Sequence, residues 1–244
     1  MSHRSVISAL AGTARLAPYL DAVGGDHGRA CGLYLWANDL AGALHSTVAF
    51  VEVSVRNAMN RELRIWNSRQ GSGYGADWAL RKGAAPLLYQ LVMKNSLEYA
   101  QNCARKEAGR RPKGHPRYRV QITHDDVVSQ LMFGTWMSLI HPRDPQAPQR
   151  CAQLWKVSLC RSFPHADPSD SGRKKLGKQL ERVRKLRNRV AHHDSLLDVE
   201  VLRRLNDMLA VLRAVDSRLP SLAMTRNRIR SILKEDPRRK RGLM

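Results

Sequence analysis

From Val48 to Trp66 the chain reads VAFVEVSVRNAMNRELRIW, without a glycine or a proline. Its first half is apolar and β-branched, which suits a buried strand as well as a helix. The second half decides between them. Val51, Val55, Met59 and Leu63 recur every four residues, the spacing that puts side chains on one face of an α-helix. A long buried helix is therefore expected, and the rest of the chain has to pack around it. Helical spacing also covers 4–21, 36–68, 84–107, 123–140, 146–161, 172–192, 197–216 and 222–234. In the first of these, Leu10, Leu16 and Leu20 are placed toward the core. No stretch has the apolar–polar alternation of a half-buried strand. The expectation is one all-α domain over 1–235, with helices 36–68 and 172–192 as its axis and a basic tail over 236–244.

The connections are marked by their turn residues. NSRQGSGYGADW (67–78) is rich in glycine, but it lacks the strand before and the Lys-Ser/Thr after that define a phosphate-binding loop. It is expected to be a flexible connection. EAGRRPKGHPRYRV (107–120) has no periodicity and reads as a mobile basic loop. Its Arg110, Arg111, Lys113 and Arg117 suit a phosphate backbone, and a plain surface insertion explains them equally well. Ser169 to Ser171 provides a cap for the helix that follows.

Charge restricts the partners. The chain of 244 residues carries 42 Lys+Arg against 21 Asp+Glu, a net of +21. The excess is one-sided: residues 1–100 hold +3 and residues 101–244 hold +18. Such an imbalance attracts polyanions, here nucleic acid, and does not by itself separate RNA from DNA or binding from cutting. No apolar run reaches the roughly 20 residues of a membrane span, and a secretion signal is not expected at the N-terminus. Cys31, Cys103, Cys151 and Cys160 form no C-x-x-C pair and no zinc spacing, so reduced thiols in a cytoplasmic protein are expected.

The basic helix 172–192 ends in RNRVAHHDS (187–195). Leu180, Val183, Leu186 and Val190 make its apolar stripe, and Arg187 borders that stripe. His192 lies four residues after Asn188 and so shares its face. Arg187 and His192 are about 140° apart on an ideal helix of 3.6 residues per turn. They converge only if the helix ends or distorts near residue 191, or if a second chain supplies the facing set. A histidine with an arginine suits cleavage of an RNA phosphodiester. Imidazole moves a proton between the 2′-OH and the leaving oxygen, and guanidinium steadies the charge on phosphorus. No metal or cofactor is required.

LRNRVAHHDSLL resembles the R-N-x-x-A-H-H signature of the Abi-like (abortive infection) branch of the HEPN superfamily. FVEVSVRNAMNREL (50–63) is similar to that family's early helix, and VVSQLMFGTWMSLI (127–140) resembles its middle segment. The three segments occur in the family's order and cover about 36–215. The resemblance implies a HEPN-type helical bundle with extra helices. It implies a metal-independent endoribonuclease acting on single-stranded RNA, in antiphage defence or as a toxin. Arg187 and His192 are then the catalytic pair, supported by Asn188, His193, Glu52, Arg56 and Asn57. It also implies a homodimer with a composite active site, and a trigger or antitoxin that the sequence does not identify. Arg189 departs from the signature, which has an apolar residue there, and adds a candidate RNA contact. Two rivals stand beside this reading. One is a non-catalytic basic helical protein that binds nucleic acid. The other is an HD-type metal phosphohydrolase using His124-Asp125 or His193-Asp194.

Overall fold

A computed structural model describes residue 9 and residues 11–92, 94–142 and 147–239. The fold is all-α: 67% of the described residues are helical, and no strand occurs among them. The helices are α1 (Thr13–Asp21), α2 (His27–Asn67), α3 (Pro86–Leu91), α4 (Lys94–Gly109), α5 (His124–Gln130) and α6 (Phe133–Ser138). They continue with α7 (Pro148–Val157), a 3₁₀ turn (Leu159–Ser162), α8 (Asp170–Ala191), α9 (Val201–Val215), α10 (Leu219–Met224) and α11 (Ile229–Lys234). No helix among them is long and apolar enough to cross a membrane.

The helix read from the four-residue spacing is α2, 41 residues long. Val51, Val55, Met59 and Leu63 are completely buried. It starts nine residues earlier than expected because the Asp26 carboxylate accepts hydrogen bonds from the Gly28 and Arg29 amides, at 2.8 and 3.1 Å. Those are the donors that a helix start leaves without partners. In α1 the core residues are Leu16 and Tyr19; Leu20 is only half-buried, and Leu10 lies outside the described residues.

Four expected helices are interrupted. Pro86 opens α3 at its first turn, where a missing N–H has no consequence, and α4 begins afresh at Lys94. The 3₁₀ turn follows α7 where 146–161 was expected to be continuous. Leu131 and Met132 are extended between α5 and α6, which buries Leu131, Phe133 and Trp136 and leaves Met132 exposed. Asn227 separates α10 from α11. Its side-chain oxygen accepts from the Ile229 amide (3.0 Å) and its amide donates to Thr47 Oγ1 (2.8 Å), so it competes with the helical backbone.

The chain divides into two compact units. The terminal unit gathers Met1–Val51, Arg182–Leu209 and Pro220–Met244. Leu33, Leu40, Leu44, Val183, Leu186 and Leu205 are in its core. The Trp36 indole donates to the Ile232 carbonyl at 2.7 Å across 196 residues of sequence. Arg182 and Arg204 both pair with the buried Asp207. The basic tail expected from residue 236 is packed at its start: Asp236 is buried, and its partner Arg238 lies 5.7 Å over the Trp36 ring. Residues 240–244 lie outside the described residues.

The central unit holds Glu52–Glu181 and Ala210–Leu219. Trp78 packs edge-on to Trp136 at 5.8 Å, and Trp155 stacks on Phe163 at 5.8 Å. The Trp78 indole donates to Asn60 Oδ1 and the Trp155 indole to the Pro168 carbonyl. In α8, Gly177 lies against His141; an added Cβ would sit 2.8 Å from the His141 Cβ. The glycine-rich connection is anchored near its two ends, while residues 68–73 are exposed. Asn67, completely buried, donates to the carbonyls of Gly75 and Gly83 (2.7 and 2.8 Å) and accepts from the Ala85 amide (2.9 Å).

Candidate functional site

The R-x4-H segment closes α8 in the terminal unit. At its other end the helix is capped as expected, with Ser169 Oγ accepting from the Gly172 amide at 3.1 Å. The stripe of Leu180, Val183, Leu186 and Val190 is buried. Arg187, Asn188 and Arg189 follow it half-buried, while His192 and His193 are exposed. Arg187 Nη1 is 3.5 Å from Asn188 Oδ1. Among the described residues neither imidazole makes a side-chain hydrogen bond or an ion pair.

The helix ends in a Schellman motif. His193 N–H donates back to the Val190 carbonyl (3.2 Å), and Asp194 N–H to the Arg189 carbonyl (2.9 Å). This pattern needs a left-handed residue at the position after the cap, usually glycine. Here it is His193, at φ 54°, a conformation that disfavours side chains with a Cβ by about 1–2 kcal/mol. His192 N–H still bonds to the Asn188 carbonyl at 2.9 Å. Its Cα therefore stays on the helical screw, and the turn begins only beyond it. With His192 still on the screw, Arg187 and His192 keep the separation of about 140° of an ideal helix.

Glu52, Arg56 and Asn57 belong to the central unit's part of α2. Glu52 and Arg56 are half-buried and one turn apart; Asn57 is exposed and accepts from Arg56 Nε at 3.3 Å.

The basic loop after α4 is fastened rather than mobile. Arg111 and Arg117 converge on Asp126; Arg117 Nη1 reaches Oδ1 at 2.8 Å and Arg111 Nη2 reaches it at 3.3 Å. Asp126 is also the third residue of a capping box with Thr123 at the start of α5. The Arg117 guanidinium, with the Thr123 amide and hydroxyl, holds the Asp126 carboxyl well below the usual carboxylate range, against the opposing effect of burial. Both guanidiniums are thus engaged by one carboxylate. Arg110 pairs with Glu107 at 3.0 Å, and Lys113 is exposed.

His124 excludes its own dipeptide from metal binding. The residue is buried and packs edge-on to Trp78. Nδ1 accepts from the Ala79 amide (3.3 Å), which requires the proton on Nε2, and Nε2 donates to Asn60 Oδ1 (2.9 Å). No lone pair is left for a cation. Burial pushes its pKa down, with Arg64 acting in the same direction. Among the described residues, no group of three His, Cys, Asp or Glu side chains is placed to hold a metal.

Two grooves of similar size open on the molecule. One, of about 750 Å³ in the terminal unit, is lined by Asp39, Thr47, Phe50 and Arg226 among others. The other, of about 740 Å³ in the central unit, is lined by Tyr74, Arg81, Lys82, Tyr89 and Arg105 among others. Neither includes Arg187 or His192. The second was missed in the sequence because its residues come from four separate stretches; the Arg81-Lys82 pair before Gly83 is the local signal. Compared with known proteins, the chain matches no family model, no curated protein and no solved structure.

Proposed function

We propose that this chain is a metal-independent endoribonuclease of the HEPN type, similar to its Abi-like branch, acting on single-stranded RNA as a homodimer. The observation that carries the reading is the end of α8: an exposed imidazole at His192, five residues after a half-buried guanidinium at Arg187. Burial of the 192 ring in the core would have removed the chemistry. Instead the ring is accessible, and its neighbour on the same helical face is Asn188.

The 2′-OH of a ribose attacks the adjacent phosphorus, and the 5′-oxygen of the next nucleotide leaves. His192 accepts the hydroxyl proton as neutral imidazole or delivers a proton to the leaving oxygen as imidazolium. Arg187 stabilises the charge that builds on the phosphoryl oxygens. Asn188 orients the ring, and His193 is the supporting histidine. Because Arg187 and His192 of one chain face apart, a second copy supplies the facing pair. Glu52, Arg56 and Asn57 keep the supporting role that the resemblance gives them. The net charge of +21 collects the polyanion. A cytoplasmic defence or growth-arrest setting, with a phage trigger or an antitoxin as restraint, follows from the resemblance alone.

Purified protein incubated with total RNA in chelator should leave ends bearing 2′,3′-cyclic phosphate, and DNA of the same sequence should stay intact because it lacks the nucleophile. Equal cutting of single-stranded DNA would overturn the chemistry. The facing-apart geometry favours a second reading for a chain that stays monomeric, that of a basic helical protein that binds RNA without cutting it.

A further inference from the structure

The groove of the central unit is built around a cationic turn. Arg81 and Lys82 lie between Trp78 and Gly83, and the backbone around them is held at several points. Gln101, buried, donates from its side chain to the Ala79 carbonyl at 2.8 Å. The Gly83 amide closes the turn on the Leu80 carbonyl at 2.9 Å, and Asn67 holds the Gly83 carbonyl at 2.8 Å. Gly83 admits no Cβ, which would meet the Asp77 carbonyl at 2.5 Å. Lys82 itself is left-handed, at φ 58°. A non-glycine residue in that region is unfavourable and persists where its surroundings over-determine it, commonly at ligand sites.

The turn therefore presents two cations with little conformational freedom left in the backbone that carries them. Among the described residues, the Arg81 and Lys82 side chains make no hydrogen bond or ion pair, and both are exposed. Arg105 adds a third cation to the lining, hydrogen-bonded to Asn102 Oδ1 at 2.8 Å, and Glu98 is the acid of the same groove. Tyr74 and Tyr89 line it with their rings, the first half-buried and the second exposed. The groove volume of about 740 Å³ lies in the range of small-ligand sites. Fixed cations suit a phosphate. A phenol ring suits the face of a base, which stacks without regard to its identity. Asn102 and Glu98 offer polar atoms to ribose hydroxyls or to base edges.

We infer that the central unit binds one nucleoside phosphate, with its phosphate at Arg81 and Lys82 and its base on a tyrosine ring. The nucleotide is either free or one unit of an RNA strand, since both present the same base and phosphate. This site shares no residue with the end of α8 and does not depend on the cleavage reading.

Calorimetric titration of the full chain with AMP, adenosine and inorganic phosphate tests it. AMP is expected to bind more tightly than either fragment. Lys82→Gly suits the left-handed backbone and so keeps the fold while it removes the cation; with Arg81→Gln it should weaken AMP by about tenfold or more. Tyr89→Leu and Tyr74→Leu separate the rings. At least one should weaken AMP about tenfold while leaving phosphate unchanged, and the matching Phe variant should restore it. A five-residue oligoadenylate, titrated against the His192→Ala chain, distinguishes the sources. Competition with AMP and loss on the same variants assign the site to an RNA strand; AMP binding without competition assigns it to free nucleotide. If neither AMP nor the oligonucleotide binds, or if binding survives Lys82→Gly with Arg81→Gln, the inference is wrong.

Discussion

His124 opens α5 and His192 ends at the close of α8, and the two residues are opposites. The first is buried, both its ring nitrogens are engaged, and burial disfavours its charged form. The N-terminal end of a helix disfavours that charge as well. The second is exposed at a helix C-terminus, and its ring makes no hydrogen bond among the described residues. One histidine serves packing and the other is available for chemistry. A dipeptide such as His-Asp says nothing about this difference, because it depends on what stands opposite the ring in the fold.

The sharpest test of the contrast is kinetic. His192→Ala should lower the rate of RNA cleavage by about 10²–10⁴-fold, the usual contribution of a general acid or base. Arg187→Ala should do likewise. Because affinity is spread over many phosphate contacts, binding of RNA measured by filter retention should largely persist in both. Unchanged cleavage in both variants would end the nuclease reading.

His124→Ala should behave the other way. It leaves the Ala79 amide without its acceptor, removes one of the two donors to Asn60 Oδ1 and opens a cavity beside Trp78, a loss of about 2–4 kcal/mol in urea unfolding. The folded fraction should cut RNA at the parental rate. A folded His124→Ala chain that no longer cuts would put the chemistry at the wrong histidine.

A smaller effect concerns acid. The Asp126 carboxyl has a lower pKa in the folded chain than in the unfolded one. Its stabilisation is therefore complete above the unfolded value, near pH 4, and is lost as pH falls through the folded value. Asp126→Asn should be less stable at neutral pH by about 1–2 kcal/mol. Its unfolding free energy should also fall less steeply than the parent's below pH 4. Parallel curves for the two would deny the clamp on Arg117.

The smallest effect is expected at His193. Replacement by glycine relieves the left-handed backbone and should raise stability by up to about 1 kcal/mol, or a few degrees of melting temperature. A fall in cleavage alongside that rise would show that the second imidazole supports the first. No change in melting temperature would contradict the strain.

Much of this was legible in the sequence, and what was not has a physical cause. The α2 stripe and the α8 stripe were read correctly because each repeats locally. The breaks were not, and the one at Asn227 comes from a distant partner: Asn227 meets Thr47 across 180 residues. The same holds for His124, whose partner Asn60 is 64 residues away, and for the clamp that Asp126 places on Arg111 and Arg117. At the candidate site the motif was visible but the manner of its ending was not. A histidine occupies the place where glycine would have announced a Schellman end.

The bond from the Trp36 indole to the Ile232 carbonyl has a consequence in time. A ribosome adds about 5–20 residues per second, so the 196 residues between the two take on the order of ten to forty seconds to make. The unit that carries His192 stays unfinished throughout that interval, whereas every segment of the central unit has been synthesised by Leu219. A chain still being translated thus lacks a completed His192 unit while its own messenger is at hand.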